Sequence, residues 1–340
     1  MAFYGISTTS LPCSPSPARV PGTDAGPRRG RDFRLGGQAV IEGVMMRGRD
    51  NWALAVRKPD GDIHVVCEPL NSFLVRHPAW DRPLLRGLFV LGESLVLGWK
   101  ALSLSADIAL EEEGDGRGMG WFQQSLALFL ALALMVGLFI ALPTWLAPLL
   151  LGKDSPVWLW NLVEGGLRLA AFVAYLALVS LSGEMRRVFQ YHGAEHQSIH
   201  LWEHGYPLEP ERALREGTDH ARCGTAFVLL VLVLTVVIYS FLGRPALWLR
   251  VLERMALIPV VAGVSYEIIR YADGNPSPWM RSLVLPGMWL QRLTTRRPDR
   301  EQAEVAISAL RALLEREDPR ALEPAAVGGE DGESREREKA

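Results

Sequence analysis

The sequence is poor in cysteine. It has three cysteines in 340 residues, Cys13, Cys67 and Cys223, and none belongs to a C-x-x-C pair. Such wide spacing argues against a disulfide framework and fits a compartment that keeps thiols reduced. The sequence also lacks a phosphate-binding loop, a G-x-S-x-G nucleophile elbow and a dinucleotide-binding fingerprint, so it predicts none of those enzyme classes.

The net charge is small as well. A value of −2 at pH 7 predicts no nucleic-acid-binding surface. Residues 1–34 are rich in Pro, Ser, Gly and Arg and contain no apolar run of signal-peptide length, so they predict a disordered leader. The charged residues 318–340 predict a disordered tail.

Apolar residues are concentrated between about 85 and 270, while both ends of the chain are polar. This distribution is typical of a membrane protein with soluble flanks. We therefore predict a mainly α-helical, polytopic membrane protein that contacts the lipid bilayer through about four transmembrane helices in residues 125–271. The predicted spans are Ser125–Leu151, Val157–Gly183, Gly224–Gly243 and Ala246–Tyr271.

Charged residues interrupt two of the apolar segments. In residues 84–110, charges recur every seven positions and share one helical face, which favours a helix lying at the membrane interface. In the second span, Glu164 and Arg168 lie four apart and can pair on one helical face. They either sit near the headgroups or mark a functional pair inside the membrane.

Arginine residues determine the predicted orientation. The loop 184–222 contains five arginines, whereas the only basic residue between the first two spans is Lys153. By the positive-inside rule, the larger loop is cytoplasmic. Four spans then place both termini in the cytoplasm.

Residues 35–83 predict a small soluble β unit. Trp52–Lys58 and Asp62–Glu68 alternate around a Pro-Asp-Gly sequence that ends at Gly61. An Asp-Gly pair between two such runs predicts a hairpin with a tight type I′ turn, in which Gly61 has positive φ. Glu42 falls in the first strand or turn, either as part of a solvated charged pair or as part of a site.

Residues 272–317 predict a cytoplasmic segment with two parts. Trp279–Leu290 is apolar but too short to cross a bilayer, so we expect it to lie against the membrane. Arg300–Glu317 has apolar residues at helical spacing and predicts an amphipathic helix.

The candidate chemistry gathers in the stretch YHGAEHQSIH, Tyr191–His200. A helix turns by about 100° per residue, so His192, Glu195 and His196 share one face. Two imidazoles four residues apart can bind one zinc ion, and the adjacent carboxylate could accept a proton from water. The order H-x-x-E-H is the inverzincin signature, which makes Glu195 the candidate catalytic base.

Two histidines do not complete a zinc site, because a further protein ligand is needed. His220 and Cys223 precede the third predicted span and Glu267 ends the fourth, so the topology brings them to the membrane face that carries the histidines. We therefore expect a divalent metal, zinc by its ligand types, among these residues: His192, His196, His220, Cys223 and Glu267. The alternative is a polar cluster that locks the helix ends together.

Several stretches resemble one bacterial family. They are GGQAVIEGVMMRG, HGAEH, HARCGTAF, SYEIIR and PGMWLQRLTTRRPDREQAEVAI, spread from about Leu35 to Leu314. Together they are similar to the YqhQ-like family, a domain of unknown function described as predicted metal-dependent membrane proteins. The resemblance implies a multi-pass protein of the bacterial inner membrane. It also singles out motif residues: Glu42, His192, Glu195, His196, His220, Cys223, Glu267 and Arg270.

Two functions fit these features. The first is a metal-dependent membrane enzyme, a hydrolase in which Glu195 is the general base. The second is a non-catalytic membrane assembly or insertion factor, or a small transporter, which would contact other membrane proteins. A bound metal with an open coordination position favours the first, and a copurifying membrane protein without metal favours the second.

The four-span arrangement predicts which side of the membrane a reporter fusion reaches. Fusions after Leu151 and Leu242 should report the outside, because the loops there lack the arginine excess. Fusions at residue 210 and at the C-terminus should report the cytoplasm. A cytoplasmic signal after Leu151 would contradict the four-span arrangement.

Overall fold

In a computed structural model of the chain, the described residues are 35–109, 121–152, 155–220, 223–243, 245–274 and 277–319. The predicted leader and nearly all of the predicted tail lie outside the described residues. The described part is mainly helical, with a small antiparallel sheet of four strands at its N-terminal end. This confirms the predicted combination of helices with an N-terminal β unit.

The elements follow in this order. The strands are β1 (Gly36–Val40), β2 (Gly43–Arg47), β3 (Asn51–Arg57) and β4 (Ile63–Pro69). The helices are α1 (Phe73–Arg76), α2 (Leu85–Ala109), α3 (Trp121–Val136), α4 (Leu142–Leu150), α5 (Val157–Val179), α6 (Gly183–His204), α7 (Pro210–Ala213), α8 (Gly224–Tyr239), α9 (Leu247–Gly274), α10 (Pro278–Thr294) and α11 (Arg300–Glu317). A 3-10 turn covers Pro78–Trp80, and a π-helical segment, Gly137–Ala141, joins α3 to α4.

The sheet is a meander in which each strand pairs with the next one. The first predicted β stretch contains two strands, because the chain reverses direction at Ile41 and Glu42. Glu42 has a φ of 50°. This left-handed conformation is uncommon for a residue with a side chain, so the turn is held by contacts elsewhere.

The predicted hairpin joins β3 to β4. The Lys58 N–H donates to the Asp62 carbonyl at 2.8 Å, and the Gly61 N–H donates to the Lys58 carbonyl at 3.0 Å. Gly61 has a φ of 93°. The loop therefore has three residues and one left-handed glycine, in place of the expected two-residue type I′ turn.

Both faces of the sheet are covered by helices. On one face, Val44 belongs to the same buried cluster as Tyr191 of α6 and Leu310 of α11. On the other face, Leu54 clusters with Leu97 of α2. Successive strand residues point to opposite faces, so apolar residues at consecutive positions serve both layers.

Helix α11 covers one face of the sheet, although it is far from the strands in sequence. The Asp299 side chain accepts a hydrogen bond from the Gln302 N–H at 2.8 Å, and the Gln302 side chain accepts one from the Asp299 N–H at 3.0 Å. This capping box begins the helix. At the other end, the Glu317 carboxylate accepts hydrogen bonds from the N–H groups of Asp50 and Asn51 at 2.7 and 2.6 Å.

Three helical runs among the described residues are long and apolar enough to cross a membrane. They are Leu85–Ala109, Ser125–Leu150 and Val157–Val179. The last two correspond to predicted spans, whereas the first is α2, which the sequence placed at the interface. Helix α8 is apolar but has 16 residues, and the longer α9 does not satisfy the same criterion. The helices thus support membrane association, but they give three candidates in place of the four predicted spans.

Substitution of Gly61 tests the hairpin. A Cβ at Gly61 would meet nothing within 4 Å, so only the left-handed backbone resists a side chain there. Gly61→Val should lower the free energy of unfolding by about 1–2 kcal/mol. The matched control is Gly36→Val, which also has open space but lies in a strand. Equal thermal unfolding temperatures for the two variants would contradict this account of the turn.

Candidate metal centre

The H-x-x-E-H stretch lies in the middle of α6, as the sequence predicted, and most of its residues are buried. Gly193 allows the segment that follows α10 to pass close beside this stretch. A Cβ at Gly193 would lie 2.0 Å from the Arg296 carbonyl oxygen, so only glycine allows this approach. The Arg296 N–H also donates to the Phe189 carbonyl of α6 at 2.9 Å. The segment after α10 is therefore held directly against the histidine stretch.

Three potential metal ligands lie close together at the H-x-x-E-H stretch. His192, His196 and Cys223 each offer one ligand atom, and these atoms lie within 4.8 Å of one another. The His192 Nε2 atom lies 3.2 Å from the Cys223 sulfur. With bonds of about 2.0–2.3 Å, ligand atoms of a tetrahedral zinc site lie roughly 3.5 Å apart. A contraction of about 1.3 Å at most would therefore bring the three atoms to coordination distance.

Backbone carbonyl oxygens orient both imidazoles. The His192 Nδ1 atom lies 2.8 Å from the Thr294 carbonyl oxygen, and the His196 Nδ1 atom lies 2.5 Å from the Thr218 carbonyl oxygen. A carbonyl oxygen only accepts hydrogen bonds, so each Nδ1 carries the proton and donates it. Each Nε2 is then unprotonated, and at His192 it accepts a hydrogen bond from the Cys223 thiol. In most metal-binding histidines, the ring nitrogen that does not bind the metal donates a hydrogen bond of this kind.

Glu195 lines the same cavity as these three residues, and the cavity has a volume of about 80 Å³. One water molecule requires roughly 10–15 Å³ of such space, so the cavity can hold water beside the carboxylate. Gly37 of β1 makes room for Glu195, since a Cβ at Gly37 would lie 2.6 Å from the carboxylate oxygen. The first strand thus forms one wall of the cavity.

Burial sets the protonation of the centre. It raises the pKa of Glu195 to about 7, an effect that the neighbouring His192 opposes. Burial, followed by the charge of His192, lowers the pKa of His196 to about 2. Burial also raises the pKa of the Cys223 thiol. His196 is therefore neutral at pH 7, the form that binds metals, whereas Cys223 must lose its proton on binding.

His220 lies beside this group but meets different partners. Its ligand nitrogen lies within 4.8 Å of ligand atoms of His200 and Glu203. The side chain of Gln291 holds the His220 backbone from both sides. It accepts a hydrogen bond from the His220 N–H at 2.9 Å and donates one to the His220 carbonyl at 2.8 Å. His220 thus belongs to a second group of potential ligands, together with His200 and Glu203 of α6.

Glu267 is not placed with the histidines. It accepts a hydrogen bond from Arg86 Nε at 2.7 Å, at the start of α2. Arg270 lies exposed, one helical turn further along α9. Among the described residues, Glu267 belongs to neither group of potential ligands. The expectation of Glu267 as third ligand is corrected by this geometry, because α9 directs that side chain toward α2.

Glu42 connects the sheet to α6. Its carboxylate accepts hydrogen bonds from Arg187, with Nε to Oε1 at 2.5 Å, and from the Tyr191 hydroxyl at 3.2 Å. Both partners lie on α6, on the N-terminal side of His192. The strained β1–β2 turn is therefore anchored at the N-terminal side of the metal centre. This role is a positioning one, since Glu42 lies outside the cavity lining.

Glu164 and Arg168 form a buried ion pair at 3.0 Å, as their spacing predicted. They are 2% and 4% exposed, so they do not lie at a solvent-facing surface. Arg254 of α9 joins them, with its Nη2 2.9 Å from both Glu164 Oε2 and Asn161 Oδ1. One carboxylate thus faces two guanidinium groups and ties α5 to α9.

Arg168 also replaces a backbone hydrogen bond that a proline removes. Pro143 has no N–H, so the Phe139 carbonyl, four residues earlier, loses its helical partner. Arg168 Nε donates to that carbonyl at 2.7 Å. Phe139 lies in the π-helical segment between α3 and α4. A helix inside a bilayer must satisfy such groups internally, so the arginine has a clear structural role.

Comparison with known proteins places the chain in one family. Residues 82–316 match the family described as "Protein of unknown function (DUF1385)". The chain belongs to this family. The "Uncharacterized protein YqhQ" of Bacillus subtilis (strain 168) is 34% identical over 296 residues, which cover 82% of this chain and 92% of the relative. No solved structure matches the chain.

This result confirms the YqhQ-like resemblance. Because the descriptions of the DUF1385 family and of its Bacillus member name no activity, they support neither metal binding nor hydrolysis. Any function has to come from the chemistry of the residues themselves.

Sequence reasoning missed the residues that support the centre. Thr218 and Thr294 contribute backbone carbonyls, which any residue type carries, so no pattern could identify them. Gln291 and Gly37 did lie within the stretches that resemble the YqhQ-like family. Their roles became visible only where α10 and β1 approach α6.

Glu164→Gln tests the buried ion cluster. The change leaves two guanidinium groups facing a neutral amide, and breaking a buried pair typically costs about 3–5 kcal/mol. We expect a clearly lower thermal unfolding temperature in detergent. The control is Glu184→Gln, an exposed residue in the first turn of α6, with an effect of at most about 0.5 kcal/mol. Similar unfolding temperatures for both variants would show that the cluster contributes little to stability.

Proposed function

We propose that this DUF1385 protein is a metal-dependent membrane protein in which His192, His196 and Cys223 hold one divalent ion. Glu195 would be the proton acceptor of a hydrolytic reaction beside that ion. The observation that supports this best is that one ring nitrogen from each of two imidazoles lies within 4.8 Å of the other and of the Cys223 thiol. Both imidazoles are already oriented by backbone carbonyls, so little reorganisation would be needed to bind a metal.

The ligand types favour zinc. Two imidazoles and one thiolate are ligands that zinc accepts, whereas magnesium and calcium prefer oxygen. Three protein ligands leave the fourth tetrahedral position open, which is the arrangement of catalytic zinc sites. Among the described residues, the lining of the cavity that these ligands share includes the acidic groups of Glu195 and Cys223 but no lysine or arginine. A bound dication would supply the missing positive charge and would favour the ionised forms of both groups.

Glu195 is well placed to move a proton. Its carboxylate is buried against Gly37 in the same cavity as the ligands, where bulk water does not compete for it. When bound, zinc would supply Lewis acidity at that cavity. The carboxylate would accept a proton from a water molecule and return it to the leaving group. The reaction class that follows is hydrolysis of a small carbonyl- or phosphoryl-containing group.

The centre would lie at the cytoplasmic face of the membrane. Helix α6 begins four residues after α5, a helix that is long and apolar enough to span. Five arginines in residues 184–222 favour the cytoplasm for the segment that follows. With four spans, both termini are cytoplasmic in this proposal.

The second candidate is a non-catalytic role as a membrane assembly factor or a small transporter. The buried cluster of Glu164, Arg168 and Arg254 favours it, because ionisable groups inside membrane helices often lie on ion or substrate pathways. In that case function would depend on Glu164 and would be independent of any metal.

Metal analysis of the purified protein separates the two candidates. The wild type should contain bound zinc. His196→Ala and Cys223→Ser should each remove the ion at this centre, because two remaining ligands bind far more weakly. Glu195→Gln should retain the ion, since this residue is not a ligand, while function falls by about 10²–10⁴. Function is measured by complementation of a deletion strain, because the substrate is unknown.

Two variants serve as controls. His204→Ala changes an exposed histidine on the same helix, and Cys67→Ser changes a half-buried cysteine on β4. Neither residue belongs to a group of potential ligands, so both variants should keep the metal. A folded, functional wild type without metal would rule out the metal-dependent function and leave the second candidate.

A further inference from the structure

The face of α6 that carries the candidate metal centre continues past it. His200 and Glu203 lie on the next turns of the helix, and His220 faces them from the segment before α8. Each of these three residues offers one ligand atom, and the three atoms lie within 4.8 Å of one another. The proposed function uses none of them.

This second group is built as firmly as the first. His200 Nε2 lies 2.8 Å from the Asp219 carbonyl oxygen, so Nε2 donates its proton and the other ring nitrogen stays free for a ligand. His220 is fixed through its backbone by the side chain of Gln291 on both sides. Its Nε2 lies 3.3 Å from Glu203 Oε2. Two elements of the fold therefore position this group.

The two groups of ligands are distinct. Their histidine rings form one continuous row, with centroid distances of 4.5 Å from His192 to His196, 5.5 Å from His196 to His220 and 5.1 Å from His220 to His200. However, His200 lies four residues beyond His196 along α6, which is a rise of about 6 Å. No residue is shared, so one ion bound by the first group could not also satisfy the second.

We infer that His200, Glu203 and His220 hold a second divalent metal ion. Two imidazoles and one carboxylate are a ligand set that zinc uses in enzymes, with the fourth position open. The set contains no sulfur, in contrast to the first group with Cys223. Such an ion would tie the segment that carries His220 to α6. The inference does not rest on the proposed function, because the first group could be metal-free while the second binds.

Cobalt titration of the metal-stripped full-length protein tests this inference. Cobalt(II) replaces zinc and gives a near-ultraviolet charge-transfer band only where a thiolate is a ligand. The wild type should bind two equivalents, and the band should report one of them. Glu203→Gln and His200→Ala should each bind one equivalent and keep the band. Cys223→Ser should also bind one equivalent but lose the band, and His204→Ala should match the wild type.

Each outcome decides between the two groups. One equivalent in the wild type, with the thiolate band, would overturn the second site and leave Glu203 and His220 as a simple hydrogen-bonded pair. One equivalent without the band, lost in Glu203→Gln, would support the second site and contradict the first. If a variant does not fold, the wild-type titration alone still decides. Two equivalents, or one without the band, support the second site, whereas one with the band, or none, overturns it.

Discussion

The candidate metal centre depends on carbonyl oxygens that α6 does not itself provide. His192, His196 and His200 each donate a ring proton to a backbone carbonyl, at Thr294, Thr218 and Asp219. A carbonyl can only accept, so each contact decides which nitrogen is protonated and where the other one points. The site is therefore a product of tertiary packing, because it requires the end of α10 and the segment before α8 to lie against α6.

The protein contains two buried polar clusters with opposite electrostatic character. In the first, Glu164 faces Arg168 and Arg254, so the chain supplies its own compensating cations. In the second, Glu195 and Cys223 are acidic groups, and the part of their cavity lining that the structure describes includes no lysine or arginine. In the first cluster, the negative charge is compensated by arginines of the chain, and the ion pairs hold α5 against α9. The second is the one where an added cation would be stabilising.

Features that follow local rules were predictable from sequence. The H-x-x-E-H stretch falls on one helical face by periodicity alone, and the Asp-Gly pair gives the β3–β4 hairpin. His220, Cys223 and Glu267 were all candidates for the third ligand, because each lies at the end of a predicted span that faces the histidines. Only the packing of α9 against α2 excludes Glu267. The sequence did not identify Arg254 as a partner of Glu164, because Arg254 is one of the charged residues that flank the uncharged core of a predicted span. Such choices depend on how helices rotate against each other, which no local pattern specifies.

The position of α11 in the sequence affects the order in which parts of the structure can form during synthesis. Asn51 of β3 is bound by Glu317, 266 residues later. During synthesis, the apolar strand face with Val44 leaves the ribosome long before the helix that covers it, and the three candidate membrane spans are made in between. Contacts so distant in sequence form slowly, and an uncovered sheet is prone to aggregation. The N-terminal strands therefore stay without one of their covering layers until α11 has been synthesised, and the docking of α11 completes this layer.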